Sequence, residues 1–274
     1  MGKAMICLKC LSQGEDQLMK IESLYRYPVK GLTAEPLTAA RLSPGRCIPF
    51  DRAFALAQGD ANLDIEHPAW ISKVNFLCLA KNPATARLRA TFDEGMGLLH
   101  IHDPMGTDIT ASPFTEEGRD ALTIYLTTAL GDEARYGENG KAPRFHHFPI
   151  HSFCDHKTQV ISLIGLGSLA ALEQAVGVAR AKLRFRANLY IENIEPWAEF
   201  SLLGKVLQAG DTTMLVQERI DRCPATMVNP DTAEKDANPV KELREHFGHI
   251  DMGVFAEVLR PGTIRPGDMI KIID

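Results

Sequence analysis

The sequence predicts a mainly β protein with a few helices (α+β), built largely of barrel-type sheet. Three observations carry that expectation. Short apolar runs bounded by turn residues recur along the chain, and few stretches have helical periodicity. Hydrophobic residues make up 45% and charged residues 24%, which suits a buried core and argues against wholesale disorder. The length of 274 residues fits two domains of ordinary size or one large all-β domain.

Charge and hydropathy exclude some classes of function. The formal net charge is −5, which argues against a general nucleic-acid or membrane-surface binder and leaves room for a local basic pocket. No run approaches the roughly eighteen apolar residues that span a bilayer. Six cysteines are scattered without a secretory signal, so free thiols in a reducing, cytoplasmic setting are expected. Cys7 and Cys10 form a C-x-x-C within residues 1–19, a stretch without periodicity that reads as a flexible leader or an over-extended start.

In chain order, Lys20 begins an alternating strand through Ile21, Ser23 and Tyr25, and Tyr27-Pro28-Val29-Lys30-Gly31 turns the chain. Lys30 is either a solvated turn lysine or a cation that meets an anion, with backbone amides nearby free to face a ligand. Asp51-Arg52 leads into the apolar run Ala53–Ala57, either as a rim ion pair or with Arg52 offering its planar fork to a phosphate. Gln58–Ile71 is irregular, and Val74–Ala80 reads as a strand. A hairpin is expected from Arg87–Phe92 and Gly97–His102 around Asp93-Glu94-Gly95, with His100 and His102 on one face as surface residues.

Thr115 caps a helix with Glu116 and Glu117 in its first turn, Ala121, Leu122, Tyr125, Leu126 and Ala129 on one face, and Gly131 as its stop. Residues 137–157 read as a long loop rich in histidine: His146, His147, His151 and His156. Val160–Ile164 is a strand, and Gly167 opens a helix with Leu169, Leu172 and Val176 on a face. As a strand, Arg184–Ile191 would place Arg184, Arg186 and Asn188 on one side, which suits a polyanion or a solvated face.

Leu203–Leu207 and Thr213–Gln217 form a hairpin around Gly210-Asp211, and Asn238 and Pro239 start a short helix to about Phe247. Val254–Leu259 and Met269–Ile273 close the chain. Between the hairpin and the short helix lies Arg219-Ile220-Asp221-Arg222-Cys223-Pro224. There Cys223 has guanidinium neighbours in Arg219 and Arg222 that favour a thiolate, making it the candidate working residue.

Six motifs in this order, Tyr27-Pro28-Val29-Lys30-Gly31, Asp51-Arg52, Phe185-Arg186-Ala187-Asn188, Asp221-Arg222-Cys223, Asn229-Pro230-Asp231-Thr232 and Gly262-Thr263-Ile264-Arg265-Pro266-Gly267-Asp268, resemble the MOSC family. That family includes the mitochondrial amidoxime-reducing component and its bacterial relatives. The resemblance implies an N-terminal β-barrel-like domain over residues 20–110 and a MOSC barrel over 111–274. It also implies a molybdenum cofactor, a molybdopterin dithiolene carrying a phosphate.

By motif, Cys223 takes the place of the cysteine that ligates molybdenum or carries a persulfide. Lys30, Arg52, Arg186 and Asn188 fall where the family holds the pterin and its phosphate, and Thr158 and Gln159 fall where it offers hydroxyls. Arg184 and Arg222 join the cofactor-binding set through strand direction and proximity. Gly31 stands where the family often has serine, and Asp221 where many reductase members have serine. The resemblance supports two functions: a reductase of small N-hydroxylated or N-oxide compounds, and a carrier of sulfur or cofactor through Cys223. A reductase would draw electrons from a separate protein, since no Cys-rich ferredoxin-like stretch follows. Association with the sulfurase raises pyridoxal phosphate, yet no lysine sits in a recognisable Schiff-base setting.

Overall fold

The computed structural model describes residues 18–64, 67–134, 141–148 and 151–273. The C-x-x-C of Cys7 and Cys10, and nearly all of the expected leader, lie outside the described residues. The first part of the chain contains β1 (Lys20–Arg26), β2 (Glu35–Pro36), β3 (Ala40–Leu42), β4 (Phe54–Ala57), β5 (Arg89–Asp93), β6 (Leu98–His102), β7 (Ile109–Ala111) and α1 (Glu116–Leu130). The second contains β8 (Arg144–His147), β9 (Ile161–Gly165), α2 (Leu166–Val176), β10 (Leu189–Glu192), β11 (Val206–Ala209) and β12 (Thr212–Asp221). After these come α3 (Pro239–Phe247), β13 (Asp251–Arg260), β14 (Gly262–Ile264) and β15 (Ile270–Ile272). Strands dominate, with three α-helices among the described residues, as the patterning predicts.

One curled eight-stranded sheet, ordered β15-β11-β12-β13-β9-β10-β1-β2, forms the principal layer. Within this sheet β9 and β10 pair in parallel, the other described pairs being antiparallel, and α2 supplies their crossover. The sheet buries a core of Ile21, Leu24, Leu42, Leu163, Leu189, Ile191, Met214, Val254 and their neighbours. A second core packs the β5-β6-β7 meander and the β4-β8 pair against α1, through Phe54, Leu88, Leu99, Leu122, Leu126 and Phe145.

The helix ends follow their side-chain chemistry. Thr115 accepts a hydrogen bond from the Gly118 amide and caps α1, whose inward face is Leu122, Leu126 and Leu130, while Ala121 faces solvent. Asn238 accepts from the Lys241 amide and Pro239 opens α3.

Three stretches depart from expectation. Val74–Ala80 is not a strand: Lys73–Asn75 is a 3₁₀ turn, and only Phe76 makes a bridge, to Ala57. The apolar run Phe76-Leu77-Cys78-Leu79 is buried as irregular chain, held by the Leu77 amide donating to the Leu56 carbonyl at 2.9 Å. The expected strand Arg184–Ile191 begins only at Leu189. Lys182–Phe185 is a 3₁₀ turn and Arg186 is left-handed at φ 53°. The histidine-rich loop is in part a strand, β8, paired with β4.

Candidate functional site

The turn after β1, the entrance to β4, the 3₁₀ turn before β10 and the end of β12 converge on one cleft of ≈ 180 Å³. Its lining includes Lys30, Gly31, Arg52, Arg184, Arg186, Asn188, Asp221, Arg222 and Cys223. Nine of the eleven residues singled out in the sequence thus meet here, although they span most of the chain. Its walls carry six basic residues (Lys30, Arg52, Lys73, Arg184, Arg186 and Arg222) against three acidic ones (Asp51, Asp155 and Asp221), in a protein of net charge −5. The local positive field is therefore built by the fold.

Each cation is held differently. Lys30 is 6% exposed, and its Nζ donates to the Phe153 carbonyl at 2.7 Å and pairs with Asp155 at 2.5 Å. Burial opposes ionisation of Asp155, but the Lys30 ammonium outweighs it and lowers the carboxyl's pKa. The Lys30 amide is engaged by the Phe54 carbonyl at 2.8 Å, so it does not face a ligand as expected.

Arg52 and Arg186 lie against one ring, their guanidinium carbons 4.3 and 4.2 Å from the Tyr27 centroid. Arg52 pairs with Asp51 at 2.5 Å. Burial alone would push its pKa down, but the Asp51 carboxylate carries it above the ordinary value. Arg186 donates to the Leu32 carbonyl at 2.6 Å. Burial, and then the like charge of Arg52, pull its pKa down to about 10. Both arginines adopt left-handed backbone, φ 49° and 53°, a conformation of non-glycine residues that clusters at functional sites.

Arg184 donates to the Met227 carbonyl at 2.9 Å and pairs with Asp236 at 2.7 Å, while its buried Nε has no partner among the described residues. Asn188 is tied into the sheet: its Oδ1 accepts from the Ser162 hydroxyl at 2.8 Å, and its Nδ2 donates to the Tyr25 carbonyl at 3.2 Å.

Cys223 lies two residues beyond β12 and precedes the 3₁₀ turn Pro224–Met227 as its N-cap. Its carbonyl accepts from the Thr226 amide at 3.0 Å and hydroxyl at 2.9 Å. The arginines on either side of it behave otherwise than the sequence suggests. Arg219 points to the outer face, over Phe200 at 4.3 Å and near Asp251. The Arg222 guanidinium turns inward to the Met252 carbonyl and to the Phe185 carbonyl at 2.8 Å. Gly253 permits this, since a Cβ there would lie 3.2 Å from the guanidinium and 2.3 Å from the Leu163 carbonyl.

The cation electrostatically coupled to Cys223 across the cleft is Lys73. Burial opposes its charge, but Cys223 and Asp155 raise its pKa overall. Sequence reasoning passed over Lys73 because no motif marks it and its place in the irregular segment before Phe76 gives no period to read.

Thr158 and Gln159 do not line this cleft. Thr158 is exposed, with its hydroxyl on His156 Nδ1 at 2.9 Å, and Gln159 faces a neighbouring cavity beside Cys47. His100 and His102 pair with Thr110 and Asp108, each at 2.7 Å. Among the described residues no cluster of three histidine, cysteine or acidic side chains could hold a metal ion by itself.

Cradle and donors together suit an anionic group with a soft metal. Gly31 sits at φ 89°, and a Cβ there would lie 3.2 Å from the Leu77 carbonyl, so this wall admits no serine without strain. Guanidiniums and an ammonium match a phosphate, the buried Arg184 Nε, unpartnered among the described residues, is a spare donor, and a thiol suits molybdenum.

Fold and cleft together define a two-part β protein with a cationic, thiol-bearing site at the junction of its parts. The MOSC N-terminal beta barrel domain matches residues 18–135 and the MOSC domain matches residues 144–271, so the chain belongs to the MOSC-domain family. No curated protein sequence matches it. Among solved structures, the YuaD protein from Bacillus subtilis is similar over 93% of this chain and 94% of its own, at 15% identity and a TM-score of 0.43. YiiM from Geobacillus stearothermophilus is similar over 42% of this chain and 54% of its own, at 20% identity and a TM-score of 0.34. Among the described residues no helix is long and apolar enough to cross a membrane.

Proposed function

We propose that the cleft holds a molybdenum cofactor and that the protein reduces small N-hydroxylated or N-oxide compounds with electrons from a separate donor protein. The observation that carries this reading is the stacking of Arg52 and Arg186 on Tyr27. Two like charges share one aromatic ring, with Asp51 paired to Arg52, in a cleft where basic residues outnumber acidic ones two to one, an arrangement that a further anion would stabilise. Lys30, Arg52, Arg184 and Arg186 would hold the phosphate and pterin, and Cys223 would be the thiolate ligand of the metal.

When bound, the cofactor supplies two-electron reduction of an N–O bond, with the overall balance R–NHOH + 2H⁺ + 2e⁻ → R–NH₂ + H₂O. The protein's own side chains orient and charge the site. Lys73 keeps its positive charge in the same cleft wall as Cys223, and Asp221 in the lining disfavours anionic substrates. Two further thiols in the lining, Cys78 and Cys154, favour the second reading, sulfur carriage on a Cys223 persulfide.

Metal and pterin analysis of protein made in a cofactor-producing host separates the two. Near-stoichiometric molybdenum and pterin in the wild type, with metal lost in Cys223→Ala, support the reductase and lead to assays with an N-hydroxylated amidine. Absence of molybdenum together with cyanide-labile sulfur on Cys223 would establish the carrier instead.

A further inference from the structure

Cys47 and Cys154 meet behind the cleft wall, on opposite sides of one amide. Cys47 lies in the loop after β3 and is 7% exposed. Cys154 lines the cleft in the segment between β8 and β9. The Cys47 thiol donates to Gln159 Oε1 at 3.6 Å, and Gln159 Nε2 donates to the Cys154 sulfur at 3.9 Å. The two thiols are also electrostatically coupled, each shifting the other's ionisation in the opposite direction. Gln159 is itself fixed by the Ser152 amide at 3.0 Å, so the pair is held by a rigid support.

We propose that Cys47 and Cys154 form a peroxide-reactive dithiol, a second redox site separate from Cys223. The two thiols are unequal partners. The neighbouring Cys47 thiol lowers the Cys154 pKa to about 6, against burial and the Asp51 carboxylate, with help from the His156 backbone and the Arg52 charge. The Cys154 thiol, and then burial, raise that of Cys47. Cys154 is thus the attacking thiolate and Cys47 the resolving thiol.

In the first step the Cys154 thiolate attacks one oxygen of hydrogen peroxide and the O–O bond breaks. The product is a sulfenic acid, and hydroxide leaves. In the second step the Cys47 sulfur attacks the Cys154 sulfur, the S–O bond breaks, and the Cys47 proton leaves with the hydroxyl as water. Two thiols lose two electrons in all, and peroxide takes them up as two waters once the first hydroxide is protonated.

The cleft feels this change directly. Cys154 stands between Phe153, whose carbonyl holds Lys30 Nζ, and Asp155, whose carboxylate pairs with it. Drawing Cys154 toward Cys47 moves both anchors of a cleft cation. The dithiol chemistry does not depend on which ligand the cleft takes.

The test is hydrogen peroxide treatment of the reduced full-length protein, followed by alkylation and peptide mapping by mass spectrometry without reductant. The expected result is a Cys47–Cys154 linked peptide, two thiols lost and then recovered with dithiothreitol, and the same linkage in Cys223→Ala. In Cys47→Ser, dimedone should trap Cys154 as sulfenic acid. In Cys154→Ser, Cys47 should stay reduced, with circular dichroism confirming that both variants fold. The proposal is overturned if Cys47 and Cys154 remain alkylatable while other cysteines, such as Cys7 and Cys10, oxidise. It is equally overturned if Cys154 pairs with Cys78 or Cys223.

Discussion

Lys73 and Gly31 show how single residues set the chemistry of the cleft. The cation coupled to Cys223 in the cleft is Lys73, whereas Arg219 lies on the outer face. Lys73→Met is therefore expected to slow alkylation of Cys223 by iodoacetamide at neutral pH by about three- to ten-fold, from the loss of one nearby positive charge. Arg219→Met should leave that rate unchanged, and peptide-resolved mass spectrometry reads both. An equal effect of the two variants would return the role to the sequence neighbour. At Gly31 the constraint is the backbone: a side chain would combine φ 89° with a contact of 3.2 Å to the Leu77 carbonyl. Gly31→Ser should cost about 1–3 kcal/mol, seen as a lower urea midpoint at constant slope, rather than add a useful hydroxyl to the pocket.

At the level of elements, β8 couples the fold to pH. His146, on β8, is half-buried opposite Ala55 of β4, and burial, followed by the charges of Arg144 and Arg119, lowers its pKa to about 4. A histidine ordinarily titrates near 6.5, so between about pH 6.5 and pH 4 the unfolded chain binds a proton that the folded chain refuses. Stability from this group is complete above the upper value and falls as pH drops through the window, by about 1–2 kcal/mol after solvent screening. His147 and His151, lowered chiefly by burial, act in the same direction. Melting curves of wild type and His146→Gln from pH 7.5 to pH 4 should show the smaller acid loss in the variant, and parallel curves would remove His146 from the cause. The same strand marks where sequence reading stops. β1, the β5-β6 hairpin, α1, α3, β12 and β13 were legible because alternation or a capping residue wrote each one locally. β8 lacks such a signal: its pairing with β4 bridges residues far apart in the chain. Phe76-Leu77-Cys78-Leu79 has the apolar content of a strand but satisfies its burial as irregular chain, and left-handed Arg186 breaks the alternation assumed for Arg184–Ile191. Residue identities in the site were legible through motifs, whereas the direction of Arg222, the role of Lys73 and the displacement of Gln159 depended on tertiary packing.

Over the whole molecule, the two matched regions exchange strands. β1 and β2 complete the large sheet beside β10, and β3 pairs with β14, although these three strands come from the first part of the chain. In return β8 pairs with β4, and its Phe145 enters the core around α1. The chain also closes on itself, with the Ile21 amide on the Asp268 carbonyl at 3.0 Å and the Gly267 amide on the Ile21 carbonyl at 2.7 Å. Ile21, Leu24, Leu42 and Ile48, all 0–2% exposed, belong to the sheet core of the second part. At about 1.5–3 kcal/mol for each buried side chain, these four contribute about 6–12 kcal/mol, as much as the entire net stability of an ordinary domain. Neither region should therefore fold alone, and the cleft, whose Lys30 and Arg52 come from one region and Arg186 and Cys223 from the other, should not exist in either fragment. Residues 144–271 expressed alone are expected to be insoluble or to lack a cooperative thermal transition, and co-expression with residues 18–135 should restore both solubility and a single transition. A sharp, reversible melt from the 144–271 fragment by itself would show that the exchanged strands are dispensable and that the junction cleft is a contact between two independent domains.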